Sequence, residues 1–153
     1  MSPTNPSGAV HPTGPMAAWA AAGIGLHWLW PLSLPDWQVL EWVSRGLLVP
    51  AVVIVVWSLV TLFRAGTTAE HSKPTTRLVT TGPFRFSRNP IYLGLSGILL
   101  GLSINWGSPY LIALSSLFPV VLQRWTVRPE EAYLEQEFGE EFRRYRASVR
   151  RWL

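Results

Sequence analysis

Two short polar stretches stand out from an otherwise apolar chain. The first, LVTTGPFRFSRNPIYLG (residues 78–94), carries Arg85, Arg88 and Asn89 between two prolines, and the second, RPEE (residues 128–131), sets Glu130 and Glu131 behind an arginine and a proline. A guanidinium presents a planar fork of donors that fits a carboxylate or a phosphate. A carboxylate can hold an ammonium group or take a proton from one. Each stretch also has a plain reading, the arginines meeting lipid headgroups and the glutamates sitting in the first turn of a helix where the dipole favours anions. If the two converge, they form the mouth of a pocket for a polar cofactor beside lipid. Other familiar chemistry is absent. The chain has no Cys, which removes disulfides, thiolate metal sites and Cys nucleophiles, and says nothing of redox compartment. His11, His27 and His71 are scattered, His27 reads as a packed or interfacial side chain, and no zinc-protease, hydrolase or P-loop pattern occurs. A metal-free mechanism is therefore expected.

The elements that would position these groups are membrane helices. Hydrophobic residues make up 48% of the 153 residues and charged residues 14%, with nine Trp, a balance on the bilayer side of globular usage. The first 15 residues hold four prolines and no Lys or Arg, so they read as a disordered tail and not as a secretory signal. Residues 16–153 then form one domain. Four apolar segments follow: residues 16–35, shortened by Pro31 and Pro35; the uncharged run GLLVPAVVIVVWSLVTLF (residues 46–63); and two arms of a hairpin within residues 91–123, broken at NWGSP (residues 105–109). The hairpin arms are short and are expected to extend into the flanks near Arg88 and Arg124. The expected fold is an all-α integral-membrane bundle of about four transmembrane helices.

Charge sets the orientation. The net charge is +4, and twelve of the thirteen basic residues lie in residues 64–90 or 124–153, which an even number of crossings puts on one side. By the positive-inside rule that side is cytoplasmic, with both termini there, as in a bacterial inner-membrane protein. Basic residues beside apolar spans point to membrane lipids as partners, and no nucleic-acid partner is expected. From Pro129 onward the period changes. Leu134, Phe138, Phe142, Tyr145, Val149 and Trp152 fall within roughly 40° of one direction at 100° per residue, which predicts an amphipathic helix on the cytoplasmic face, with Gly139 as a possible break.

At these residues the chain resembles the isoprenylcysteine carboxyl methyltransferase family, which is similar in its last helices to the phospholipid N-methyltransferases. The resemblance rests on GTT (residues 66–68), LVTTGPFRFSRNPIYLG and RPEEAYLEQEFGEEFRRYRASV, and covers about residues 64–152. It implies S-adenosylmethionine as cofactor, bound by the cofactor half of the domain, about residues 64–153. Thr76, Arg77, Leu78 and Val79 would run beside the cofactor, Phe84, Asn89, Pro90, Ile91 and Tyr92 would complete the wall, and Glu130 would hold its polar end. Thr76 and Asn89 stand where the eukaryotic members carry His. Arg88 and Glu131 become the candidate catalytic residues, Arg88 meeting the acceptor's polar head and Glu131 taking a proton from an amine acceptor. Arg124 and Arg128 become candidate substrate contacts.

The implied activity is methyl transfer to a lipophilic acceptor arriving from the bilayer, with carboxyl O-methylation of an isoprenylcysteine-like acid first. Phospholipid amine N-methylation or small-thiol S-methylation is the alternative, and a noncatalytic four-helix scaffold or lipid-binding subunit is the alternative of another class. The oligomeric state is left open.

Overall fold

The computed structural model describes residues 13–35, 38–67 and 77–153. The tail expected over residues 1–15 lies outside the described residues up to position 12, and α1 (Thr13–Leu29) already begins within it. The remaining helices are α2 (Gln38–Arg64), α3 (Pro90–Trp106), α4 (Pro109–Leu122), α5 (Arg128–Phe138) and α6 (Glu140–Ser148), with a 3₁₀ turn at Gly82–Arg85. No strand occurs among the described residues.

The solvent of this bundle is read from α2. Of its 27 residues only Ser44, Ala51 and Ser58 are buried, one every seventh position. Trp42, Val49, Val53, Val56, Leu59 and Phe63 are exposed. In water such a surface would be an aggregation liability, whereas in hydrocarbon it is solvated. The buried stripe of small residues packs on α3, where lipid supplies no hydrophobic drive and close backbone approach must serve instead. A Cβ at Gly94 would stand 2.8 Å from the Ala51 carbonyl oxygen and overlap Val55. Ser44 Oγ donates to the Gly101 carbonyl at 2.9 Å.

On its other side α3 meets α4, where Ser103 and Ser115 share a 2.6 Å hydrogen bond. α1 covers α4, with the Trp19 indole N–H donating to the Leu114 carbonyl at 2.6 Å. The lateral order is thus α1, α4, α3, α2. The hairpin falls where NWGSP places it: Gly107 ends α3 in the left-handed region, Ser108 caps α4 and Pro109 opens it.

Among the described residues two helices are long and apolar enough to cross a membrane, α2 and the continuous 30-residue helix from Pro109 to Phe138. The sequence predicts about four spans, and the other two are not confirmed. α1 and α3 are apolar but have 17 residues each, about 25 Å of rise against about 30 Å of hydrocarbon. α3 gains no extension toward Arg88, because Pro90 opens the helix and Asn89 leaves helical geometry.

The last part of the chain corrects the sequence reading twice. No new helix starts at Pro129. Instead α4 runs through a π turn, Gln123–Val127, into α5, and the Arg128 N–H bonds back to the Gln123 carbonyl. Pro129 has no N–H for the Trp125 carbonyl and its ring would crowd that carbonyl in an α-helix, so the wider turn accommodates it. Charged residues start at Arg124 and crowd α5, so the apolar part of the long helix is its first half and α5 is its polar end. Nor does the amphipathic helix reach Trp152. Gly139 breaks it at φ 52° and ψ −117°, and Val149 is already extended. Residues 149–152 fold back onto the loop before α3.

Candidate active site between the loop before α3 and the start of α5

The 3₁₀ turn carries the chain from Gly82 to Phe86, whose N–H bonds to the Pro83 carbonyl at 3.1 Å. Tyr145 of α6 braces this turn by donating its hydroxyl to the Phe84 carbonyl at 2.7 Å, and burial raises the Tyr145 hydroxyl's pKa. Ser87, Arg88 and Asn89 then lead into α3 in non-helical geometry, so their side chains are free of helix periodicity and reach across to the end of the chain.

Glu131, in the first turn of α5, is the centre of the site. Its Oε1 accepts from Arg88 Nε at 3.1 Å and Nη2 at 2.9 Å. Arg151 approaches from the other side, Nε lying 3.1 Å from both carboxylate oxygens and Nη2 2.6 Å from Oε2. The Arg88 and Glu131 side chains are only 8% and 9% exposed, and Arg151 is 31% exposed. Burial by itself would raise the Glu131 pKa. The hydrogen bonds from Arg151 and Arg88, with their charges, outweigh it and hold the carboxyl below its usual range. The same pairing raises the pKa of Arg151. Arg88 Nη1 also donates to the Arg146 carbonyl at 3.1 Å and the Val149 carbonyl at 2.6 Å.

Glu130 is one position along the helix and half-buried. Its Oε2 accepts a 2.7 Å hydrogen bond from the hydroxyl of buried Tyr92. Tyr92 belongs to the apolar cluster of Leu99, Phe118, Leu122 and Val127, so this carboxylate stands where the bundle core meets the polar end.

Of the residues singled out in the sequence, Arg88, Asn89, Tyr92, Glu130 and Glu131 are joined to one another or to shared partners by direct hydrogen bonds. Pro90 is buried beside them, while Leu78, Val79, Phe84 and Ile91 are half-buried. Arg77, Arg124 and Arg128 are exposed, and none forms an ion pair among the described residues. Thr76 lies outside the described residues. Sequence reasoning missed Arg151, Ser87, Tyr145 and Gln123. Arg151 had one available signal, since a buried glutamate needs neutralising and residues 143–151 hold a surplus of arginines, but which arginine serves is a matter of tertiary contact.

The geometry of Arg88, Tyr92, Glu130 and Glu131 falls inside a region of known kinship. A family profile described as phospholipid methyltransferase matches residues 40–141. An uncharacterized protein of Haemophilus influenzae is 40% identical over 63 residues, which are 41% of this chain and all of the relative. No solved structure matches the chain. The profile takes in nearly all of α2, the hairpin, the π turn and both glutamates, and on that ground the chain belongs to the phospholipid methyltransferase family of membrane proteins, which is related to the isoprenylcysteine carboxyl methyltransferases.

Proposed function

We propose that this protein is an integral-membrane methyltransferase that uses S-adenosylmethionine and acts on a lipophilic acceptor reaching the site from the bilayer. The observation that carries the reading is the Glu130 carboxylate, half-buried at the polar end of the apolar bundle and held by Tyr92 at 2.7 Å. The residues present suit the cofactor. A carboxylate can pair with its ammonium group, while Phe84, Ile91, Leu78 and Val79 offer partly buried apolar surface for an adenine ring. When bound, the cofactor supplies a methyl group already activated on a sulfonium. Glu130, oriented by Tyr92, anchors the amino-acid end, and the apolar surroundings exclude water. The main catalytic contribution of the chain is then positioning for in-line attack.

The acceptor follows from what the site can do with a proton. A carboxylate or thiolate attacks without a base, whereas a protonated amine must first lose a proton. Glu131 was the candidate base, yet both its oxygens are taken by guanidiniums and its basicity is reduced. That counts against an amine and leaves an acid or a thiol, of which the family resemblance favours an acid of the isoprenylcysteine type, with Arg124 or Arg128 at its carboxylate. The family description, phospholipid methyltransferase, favours an amine-headed lipid as the second reading. Twelve of thirteen basic residues lie in residues 64–90 and 124–153, which supports a cytoplasmic side for both segments; both termini in the cytoplasm and a bacterial inner membrane then follow if the shorter α1 and α3 also cross.

The test is methyl transfer from labelled cofactor to a panel of lipophilic acids, amines and thiols in lipid nanodiscs. Labelling of a prenylcysteine acid above the amines is the expected result. Labelling of amine lipids alone would replace the first reading by the second, and no cofactor binding at all would reject both.

A further inference from the structure

Ser87, Arg88 and Asn89, the polar residues of the loop motif, all turn toward the segment that follows α6. The Arg88 N–H bonds to the Arg150 carbonyl at 2.9 Å. The Arg151 carbonyl accepts from Ser87 Oγ at 3.2 Å and from Asn89 Nδ2 at 3.1 Å. Arg151 itself clasps Glu131, and the Trp152 indole N–H donates to Gln123 Oε1 at 2.9 Å. Gln123 opens the π turn and Glu131 lies in the first turn of α5 beyond it. Residues 151 and 152 thus tie the long helix on both sides of the π turn.

We infer that this segment, and Arg151 in particular, is a positioning element of the methyl-transfer site, acting through Glu131 to set the Glu130 carboxylate against Tyr92. The inference rests on the reading of Glu130 as a cofactor contact. Adjacent helical residues differ by about 100° in direction, so fixing the Glu131 side chain fixes the azimuth of Glu130. Arg88 holds Glu131 from one side only, through its Oε1. Arg151 supplies the opposing side. Arg151 and Trp152 also lie outside residues 40–141, so the family match does not account for them. The contacts among α1, α2, α3 and α4 do not pass through Arg151, so its loss should disturb the site and spare the bundle.

The test uses the full chain in nanodiscs, with Arg151→Ala, Arg151→Lys and, as control, exposed Arg144→Ala. Two quantities are read: the Kd for S-adenosylmethionine by calorimetry, and amide hydrogen exchange along the chain. Arg151→Ala should weaken cofactor binding about tenfold, equivalent to about 1.4 kcal/mol and so to about one hydrogen bond to a charged group lost at Glu130. Arg151→Lys should restore part of that loss, and Arg144→Ala should leave binding unchanged. Exchange in Arg151→Ala should rise at residues 123–133 while α2 and α3 keep their protection. A Kd within twofold of wild type in Arg151→Ala overturns the inference and leaves the cofactor reading standing. If wild type does not bind the cofactor, that reading falls and with it the positioning role at a methyl-transfer site.

Discussion

Replacing Glu131 with Gln keeps the shape of the side chain and removes the one negative charge between two arginines. Four N–H donors now converge on the carboxylate, from Arg88 Nε and Nη2 and from Arg151 Nε and Nη2. A hydrogen bond to a charged group contributes about 1.5–3 kcal/mol, but these four share one charge and do not add. Breaking a buried pair by removing one partner costs about 3–5 kcal/mol, because an uncompensated charge is left behind. Arg88, at 8% exposure, would be that charge, whereas Arg151, at 31%, can turn to water. The expected cost of Glu131→Gln is therefore about 3 kcal/mol, measured by sodium dodecyl sulfate unfolding in mixed micelles and followed by Trp fluorescence. The comparison is Glu140→Gln, which breaks an ion pair whose side chains are 56% and 67% exposed and should cost about 0.5 kcal/mol or less. The pH dependence has a definite sign. The folded-state pKa of Glu131 is depressed, so its contribution is present above the unfolded value of about 4.3 and is lost as pH falls through the lower folded value. Stability of wild type should fall in that acid range more than stability of Glu131→Gln. Equal stability of Glu131→Gln and Glu140→Gln at neutral pH would refute the buried-cluster argument.

Three further outcomes are expected. Glu130→Gln should weaken cofactor affinity by about 1.5–3 kcal/mol, with Glu140→Gln as control, and calorimetry finding the two alike would reduce Glu130 to a structural partner of Tyr92. Gly94→Ala should destabilise the bundle by about 1–3 kcal/mol through overpacking, since its Cβ would press on the Ala51 carbonyl at 2.8 Å; an unchanged unfolding midpoint would show that α2 and α3 separate easily. Reporter fusions at residue 70 and after residue 153 should both report the cytoplasm, and a signal from the far side at either would reject the proposed topology.

Some of this architecture is written locally in the chain. The uncharged run in residues 46–63, the NWGSP turn and the cluster of arginines near residues 64–90 depend on composition and nearest neighbours, and hydrocarbon enforces the helix wherever such a run occurs. The family motifs likewise put Glu130 and Tyr92 within the region expected to hold a site. Other features needed the fold. Whether the helix begins at Pro129 or passes through it depends on a π turn whose cost is offset by packing of Thr126 and Val127, both fully buried. Periodicity assigned Val149 and Trp152 to a helix face because their spacing fits 3.6 residues per turn, yet Gly139 and the hydrogen bonds of Ser87, Arg88 and Asn89 pull that segment into an extended strap. The partner of Glu131 is the clearest case. Residues 143–151 offer five arginines with equal charge, and only the three-dimensional path of the chain brings Arg151, alone among them, to the buried carboxylate.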